Sequence, residues 1–301
     1  MDGQVYLSPL RLQNDRLHCH KFSSAEINSA HASLCLHRKG IHLQGVPGSA
    51  KEKVPLPELW RFHAYCLISV RVGAIIAAAG DGRRFSEHGD APRKQFVMLG
   101  GEPLFIHSLR CFLASQLIER TVLAVPAGAV ESSTELVKLE FGGKDVEVIA
   151  GGAERQESVY NAFRAIRENV EVVVVHDAAR PFLRSLWIEK TVEAVKEYDG
   201  AIVALRATDT LKSSRIGMID ATIDRTLIWQ AQTPQTFKAD ILDQAFEKAE
   251  RDGITSTDES QLVENVGGKV AIVEGSPLNL KVTTKRDLVL AKTILSMETN
   301  D

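Results

Sequence analysis

Four cations, Arg83, Arg84, Arg93 and Lys94, follow the turn Gly80-Asp81-Gly82 in this chain of 301 residues. Ahead of the turn runs an apolar stretch, Val72 to Ala79, of the kind that a strand buried on both faces requires. Glycines at the end of such a strand let backbone N–H groups come close to a phosphate chain, and the cations beyond them can neutralise its charge. The pattern points to a nucleoside triphosphate loop, with a plain tight strand-to-helix turn as the alternative. Its spacing excludes the two commonest glycine loops: no Gly-Lys-Ser/Thr ending and no third glycine of a dinucleotide fingerprint is present.

A second candidate is Asp177, which follows Val172 to Val175 and His176. A carboxylate at the end of a buried strand is costly unless it meets a cation, a metal or hydroxyls. Asp177 is therefore a candidate Mg²⁺ ligand or substrate-hydroxyl contact, with a structural ion pair to Arg180 as the alternative. His176 reads as structural.

The elements that must position these groups alternate. Strands are expected over 72–79, 120–126, 145–149, 171–176, 200–205 and 269–274, with helices over 103–116, 156–168 and 185–198. Alternation of this kind implies an α/β fold, Rossmann-like, with a mostly parallel sheet flanked by helices. In such open sheets the ligand sits beyond the carboxyl ends of the strands, where Gly80, Gly152 and Asp177 all fall.

AAAGDGRRF at 77–85 and PRKQF at 92–96 resemble the start of the cytidylyltransferases that act on sugar or polyol phosphates, above all the 2-C-methyl-D-erythritol 4-phosphate cytidylyltransferase family of the non-mevalonate isoprenoid pathway. The resemblance continues in order through GGAERQESV at 151–159, VVVVHDAARPF ending at Phe182, TIDRTLIWQAQTPQTF at 222–237, TSTDESQLVE at 255–264 and NLKVTTKRDLVLAK at 279–292. It implies transfer of the cytidylyl group of CTP to 2-C-methyl-D-erythritol 4-phosphate, with release of pyrophosphate and with Mg²⁺ as cofactor. A ribitol-5-phosphate cytidylyltransferase shares nearly all these motifs and is the nearest alternative, and a non-catalytic nucleotide-binding protein of the same fold is the other.

By the same resemblance Arg84 and Lys94 stabilise the transition state, while Arg225 and Lys281 position the acceptor phosphate. Ala78, Ala79, Gly80 and Gly82 belong to the triphosphate loop. Gly152, Ala153 and Ser158 belong to a cytosine-binding turn, in which glycine permits close approach and Ser158 supplies a hydroxyl or a helix cap. Asp177, Ala178, Arg180, Thr210 and Thr257 complete the implied binding set. The segment from Arg84 to Lys94 is longer than the family pattern and places Arg93 beside Lys94, so Arg93 is a possible substitute. Ala153 stands where the family often has an acidic residue. Residues 206–236, rich in Thr and Ile, are compatible with a protruding β-arm that reaches the neighbouring subunit of a homodimer.

Composition is that of a globular enzyme. Hydrophobic residues make up 44%, enough for a sizeable core, and a net charge of −3 argues against a general nucleic-acid binder. No apolar run is long enough for a membrane span. Residues 1–70 differ from the rest, holding six of the nine histidines and three of the four cysteines. They lack clear periodicity and read as a poorly ordered extension of unknown role, with 71–301 as the catalytic domain. His18-Cys19-His20 and Cys35-Leu36-His37 lack the paired spacing of structural zinc sites. With Cys111 the single cysteine of the catalytic region, no disulfide framework is available, and a reducing, cytoplasmic setting is expected. A plastid is the alternative if residues 1–70 are a transit peptide.

Overall fold

The computed structural model describes residues 70–80, 96–142 and 144–298. Gly82, Arg84, Arg93, Lys94 and residues 1–69 lie outside the described residues. The chain builds a seven-stranded sheet in the order β11 (Val270–Glu274), β7 (Gly200–Arg206), β10 (Trp229–Lys238), β6 (Val172–Asp177), β1 (Val72–Ala77), β4 (Ile118–Val125) and β5 (Val146–Ala150). Every neighbouring pair is parallel except the two made by β10, so the expected Rossmann-like α/β architecture is present.

Period-2 alternation along the strands sends side chains to two faces. Ala74, Ile76, Leu123, Val125 and Val174 meet helices α1 (Leu104–Ala114), α2 (Val130–Phe141) and α4 (Ser185–Ala194), through Phe105, Val137 and Trp187 among others. Ile75, Val122, Val173 and Val175 meet α3 (Arg155–Ile166), α5 (Ala239–Asp252) and α6 (Glu259–Asn265) on the other face. Helix α5 shows why the sequence forms it: Leu242, Ala245, Phe246 and Ala249 fall on one stripe, and Gly253 ends it in the left-handed region at φ +65°. A short hairpin, β2 (Met98–Leu99) and β3 (Glu102–Pro103), packs through Leu99 against Ile294 of α7 (Lys285–Glu298).

Within the seven-stranded sheet, the strand that sequence pattern alone missed is β10, central and antiparallel. It holds Gln232, Thr233, Gln235 and Thr236, all buried, and Pro234, a residue that argues against a central strand. Pro234 is tolerated because it lies within the register shift between Ala231 and Gln235. Of the segment 206–236 expected to form an arm, the part from Trp229 on belongs instead to the central sheet. A separate hairpin, β8 (Leu211–Arg215) and β9 (Met218–Ile223), projects an exposed surface, and from Trp229 the chain returns to the central sheet.

Candidate active site

β1 is followed by β4 and β5 on one side and by β6 on the other, so the winding reverses between β1 and β6, where open α/β sheets bind ligands. Ala77 pairs with Asp177 across that junction, and the Ala178 N–H donates to the Ala77 carbonyl at 3.1 Å. Two glycine-rich loops meet there. A Cβ on Gly151 would lie 2.3 Å from Ala79 Cβ and 2.8 Å from Ser158 Oγ, so only glycine lets the turn after β5 press against the loop after β1.

Asp177 sits in a ring of charge. Its Oδ1 accepts from Arg155 Nε at 2.8 Å and its Oδ2 from Lys281 Nζ at 2.6 Å. Arg155, the first residue of α3, also donates from Nη1 to both oxygens of Glu259, the first residue of α6, at 2.7 and 2.9 Å. Burial works to raise the Asp177 pKa, but Arg155, Lys281 and Arg180 outweigh it and hold the carboxyl well below the usual range. Burial raises the Glu259 pKa, with the Arg155 charge pulling the other way.

The turn after Asp177 is locked from beneath. His176 is fully buried, and its Nε2 lies 3.1 Å from the Arg180 carbonyl, an acceptor only, so Nε2 carries the proton. Nδ1 then accepts from Thr233 Oγ1 at 2.9 Å, and that hydroxyl accepts the Asp177 N–H at 3.2 Å. Burial drives the His176 pKa down to about 4, which keeps it neutral in this role. Ser108 of α1 also donates to the Arg180 carbonyl, at 3.2 Å. Lys281 is delivered by the same framework: Arg180 Nη1 donates to the Asn279 carbonyl and the Val282 N–H to the Ala179 carbonyl.

The family model of 2-C-methyl-D-erythritol 4-phosphate cytidylyltransferase matches residues 72–297. The chain belongs to that family. A relative of that name from Acidobacterium capsulatum is 43% identical over 230 residues, covering 74% of this chain and 96% of the relative. One from Symbiobacterium thermophilum is 40% identical over 232 residues, covering 77% and 95%. The crystal structure of the enzyme of that name from Thermus thermophilus superposes with a TM-score of 0.62 at 30% identity, covering 75% of this chain and 99% of the other.

As a member of this cytidylyltransferase family the protein is a CTP-dependent nucleotidyltransferase, and its expected site residues divide into two groups. Ala78, Ala79, Gly80, Gly152, Ala153, Ala178, Arg180 and Lys281 lie on the loops around the β1–β6 junction, with Asp177 at the end of β6 and Ser158 in the first turn of α3. Asp177 takes Lys281 and Arg155 as its near partners, whereas Arg180 Nε stands 3.9 Å from Oδ2. Ser158 is four residues past the cap Glu154: its hydroxyl accepts the Gly152 N–H at 3.0 Å and donates to the Glu154 carbonyl at 2.9 Å. The Ala153 N–H is likewise taken, by Glu157 Oε2 at 2.7 Å. Thr257 is exposed, two residues before Glu259. Thr210 and Arg225 lie apart from the cluster's hydrogen bonds, at the base of the hairpin, where Arg225 Nη1 donates to the Thr208 carbonyl. Arg155 and Glu259 escaped sequence reasoning although both stood inside recognised motifs. Glu259 in the first turn of a helix has a sufficient local explanation in the helix dipole, and nothing local reveals that Arg155, a cation at the start of another helix, faces it.

Proposed function

We propose that the protein transfers the cytidylyl group of CTP to 2-C-methyl-D-erythritol 4-phosphate, giving 4-diphosphocytidyl-2-C-methyl-D-erythritol and pyrophosphate. The observation that carries this reading is the convergence of the Ala78–Gly80 loop, the Gly151–Ala153 turn and the Asp177–Lys281 pair on one junction of the sheet. An oxygen of the acceptor phosphate attacks the α-phosphorus of CTP, and the bond to the bridging oxygen of pyrophosphate breaks. No protein nucleophile is needed, since positioned cations stabilise the charge that accumulates at phosphorus. Arg84 and Lys94 take that role. Arg225 and Lys281 hold the acceptor phosphate and so fix the direction of attack, with Thr210 and Thr257 beside them.

In the turn after β5, the N–H groups of Gly151, Gly152 and Ala153 are all used inside the chain. Carbonyl oxygens are what the turn has left to offer a base, and these accept from an exocyclic amine such as that of cytosine. Among the described residues no group of three or more His, Cys, Asp or Glu could cage a metal ion. Mg²⁺ commonly binds through one or two carboxylates together with substrate phosphates. Asp177, the expected ligand, meets Arg155 and Lys281 with its two oxygens and does not fit a metal ion as it stands, so an ion would be held by the phosphates of CTP, whose charge it would neutralise. No helix among the described residues is long and apolar enough to cross a membrane; the cytoplasm is the setting we assign to the enzyme.

We further assign catalysis to residues 71–301, working as a homodimer, and regard residues 1–70 as dispensable. Pyrophosphate release measured with CTP and a panel of polyol phosphates tests the reading: turnover should be highest with 2-C-methyl-D-erythritol 4-phosphate. Preference for ribitol 5-phosphate would reassign the acceptor, and no release with any acceptor would point to a non-catalytic nucleotide-binding protein. A chain beginning near Ser69 should match the full chain in the same assay.

A further inference from the structure

The two oxygens of Asp177 are not held alike. Oδ1 faces a guanidinium anchored from behind, because Glu259, fully buried, takes both of its hydrogen bonds from Arg155 Nη1 while Nε donates to Asp177. Oδ2 faces the ammonium of Lys281, whose side chain is 32% exposed against 9% for Asp177. An ammonium on a flexible stem at the solvent edge exchanges partners readily, and a guanidinium clamped between two carboxylates does not. An arginine released from Glu259 would instead turn its fork onto both oxygens of Asp177 and occupy the carboxylate completely.

We propose that Arg155 and Glu259 are positioning residues for the acceptor: Glu259 holds Arg155 so that it fixes Oδ1 alone, which leaves Oδ2 able to exchange Lys281 for a hydroxyl of the polyol phosphate. The inference rests on the cytidylyltransferase reading of this site. In it, the ammonium released from Oδ2 is the cation that meets the acceptor's phosphate, so acceptor binding and the opening of Asp177 are one event. CTP binding is not part of that exchange.

Steady-state pyrophosphate release by the full-length protein, with each substrate varied in turn, reads this directly. Glu259→Gln should raise the acceptor KM about tenfold or more while the CTP KM stays within about twofold. Arg155→Lys, which keeps the charge but cannot span both carboxylates, should show the same split. The double variant Arg155→Leu/Glu259→Leu strands no buried charge, so its melting temperature should return close to that of the wild type while the acceptor KM remains high. Recovery of the acceptor KM together with the melting temperature would make the pair a structural support only and overturn the inference, as would equal rises in both KM values. If the double variant does not fold, the split in Arg155→Lys decides. Failure of the wild-type protein to release pyrophosphate with any polyol phosphate is a different result: it overturns the cytidylyltransferase reading, and the inference falls with it.

Discussion

The Asp177 cluster and the β8–β9 hairpin reverse the usual partition of residues in opposite directions. At the β1–β6 junction, Asp177, Glu259 and Arg180 are charged and buried. On the hairpin, Ile216, Met218 and Ile219 are apolar and largely exposed, Ile216 completely so. The first arrangement is closed within the chain, because each buried carboxylate meets a cation at hydrogen-bonding distance. The second is not closed, since nothing among the described residues covers strand β9, all six residues of which are exposed. A contiguous exposed apolar surface usually marks an interaction site. One region thus pairs its buried carboxylates within the chain, and the other presents apolar surface to its surroundings.

The hardest blow to that contrast would come from Asp177→Ala. Removing the carboxylate leaves Arg180 and Arg155 beside a buried gap, with Lys281 at its solvent edge, and stranding buried charge in this way costs about 3–5 kcal/mol. Urea denaturation should show a loss of that size, together with loss of pyrophosphate release. A variant as stable as the wild type would mean that the cations reach solvent and that the cluster is not closed.

The acid side of the stability profile gives the next effect. His176 has its pKa lowered from 6.5 to about 4 by burial, so the unfolded chain takes up a proton first as the pH falls. Its contribution is complete above the unfolded value and is lost between pH 6.5 and about 4, amounting to about 3 kcal/mol at the lower end. Denaturation midpoints between pH 7 and 4 should follow this slope, and His176→Gln should flatten it. A flat wild-type profile in that window would show that water reaches the imidazole beneath the Asp177 turn.

What could be read beforehand differs between the two regions for a physical reason. The parallel strands announced themselves because burial on both faces demands runs such as Val172–Val175, and Asp177 stood out because a carboxylate ends such a run. The strand β10 did not, since its buried Thr and Gln residues find their partners far away in the chain, such as Asp258 for the Gln235 amide and Thr191 for Thr236. The roles of Arg155 and Glu259 were hidden likewise, 104 positions apart and joined only by the folding of α3 and α6 onto the same sheet end. Sequence pattern reports what a residue needs, and long-range packing decides who supplies it.

If the hairpin reaches a second subunit, Arg225 at its base acts on the partner's site. Arg225→Ala and Lys94→Ala chains should each be nearly inactive alone, the first through lost acceptor positioning and the second through lost charge stabilisation. Mixed together, half of the dimers would be hybrid and each would contain one intact site, so activity should rise to about a quarter of wild type. An Arg93→Ala chain, as a control, should remain active by itself. No recovery despite verified subunit exchange would mean that Arg225 serves its own chain, and the contrast between the two regions would lose its functional meaning.

The smallest expected effect concerns the tip of the hairpin. Arg215 pairs with Met218, so Ile216 and Gly217 form a two-residue loop, and both have positive φ, +52° and +79°. Loops of this type favour Asn-Gly, whereas a β-branched residue in the left-handed region costs about 1–2 kcal/mol. Ile216 bears that cost while fully exposed, where its side chain gains nothing from its own chain. Ile216→Asn should therefore stabilise the isolated chain by about 1 kcal/mol, read as a higher denaturation midpoint at low protein concentration. It should at the same time weaken self-association, read by sedimentation, because the apolar tip is lost. A variant that gains stability and still associates like the wild type would move the contact surface from the tip to the face of β9, where Met218 and Ile219 would be the next residues to change.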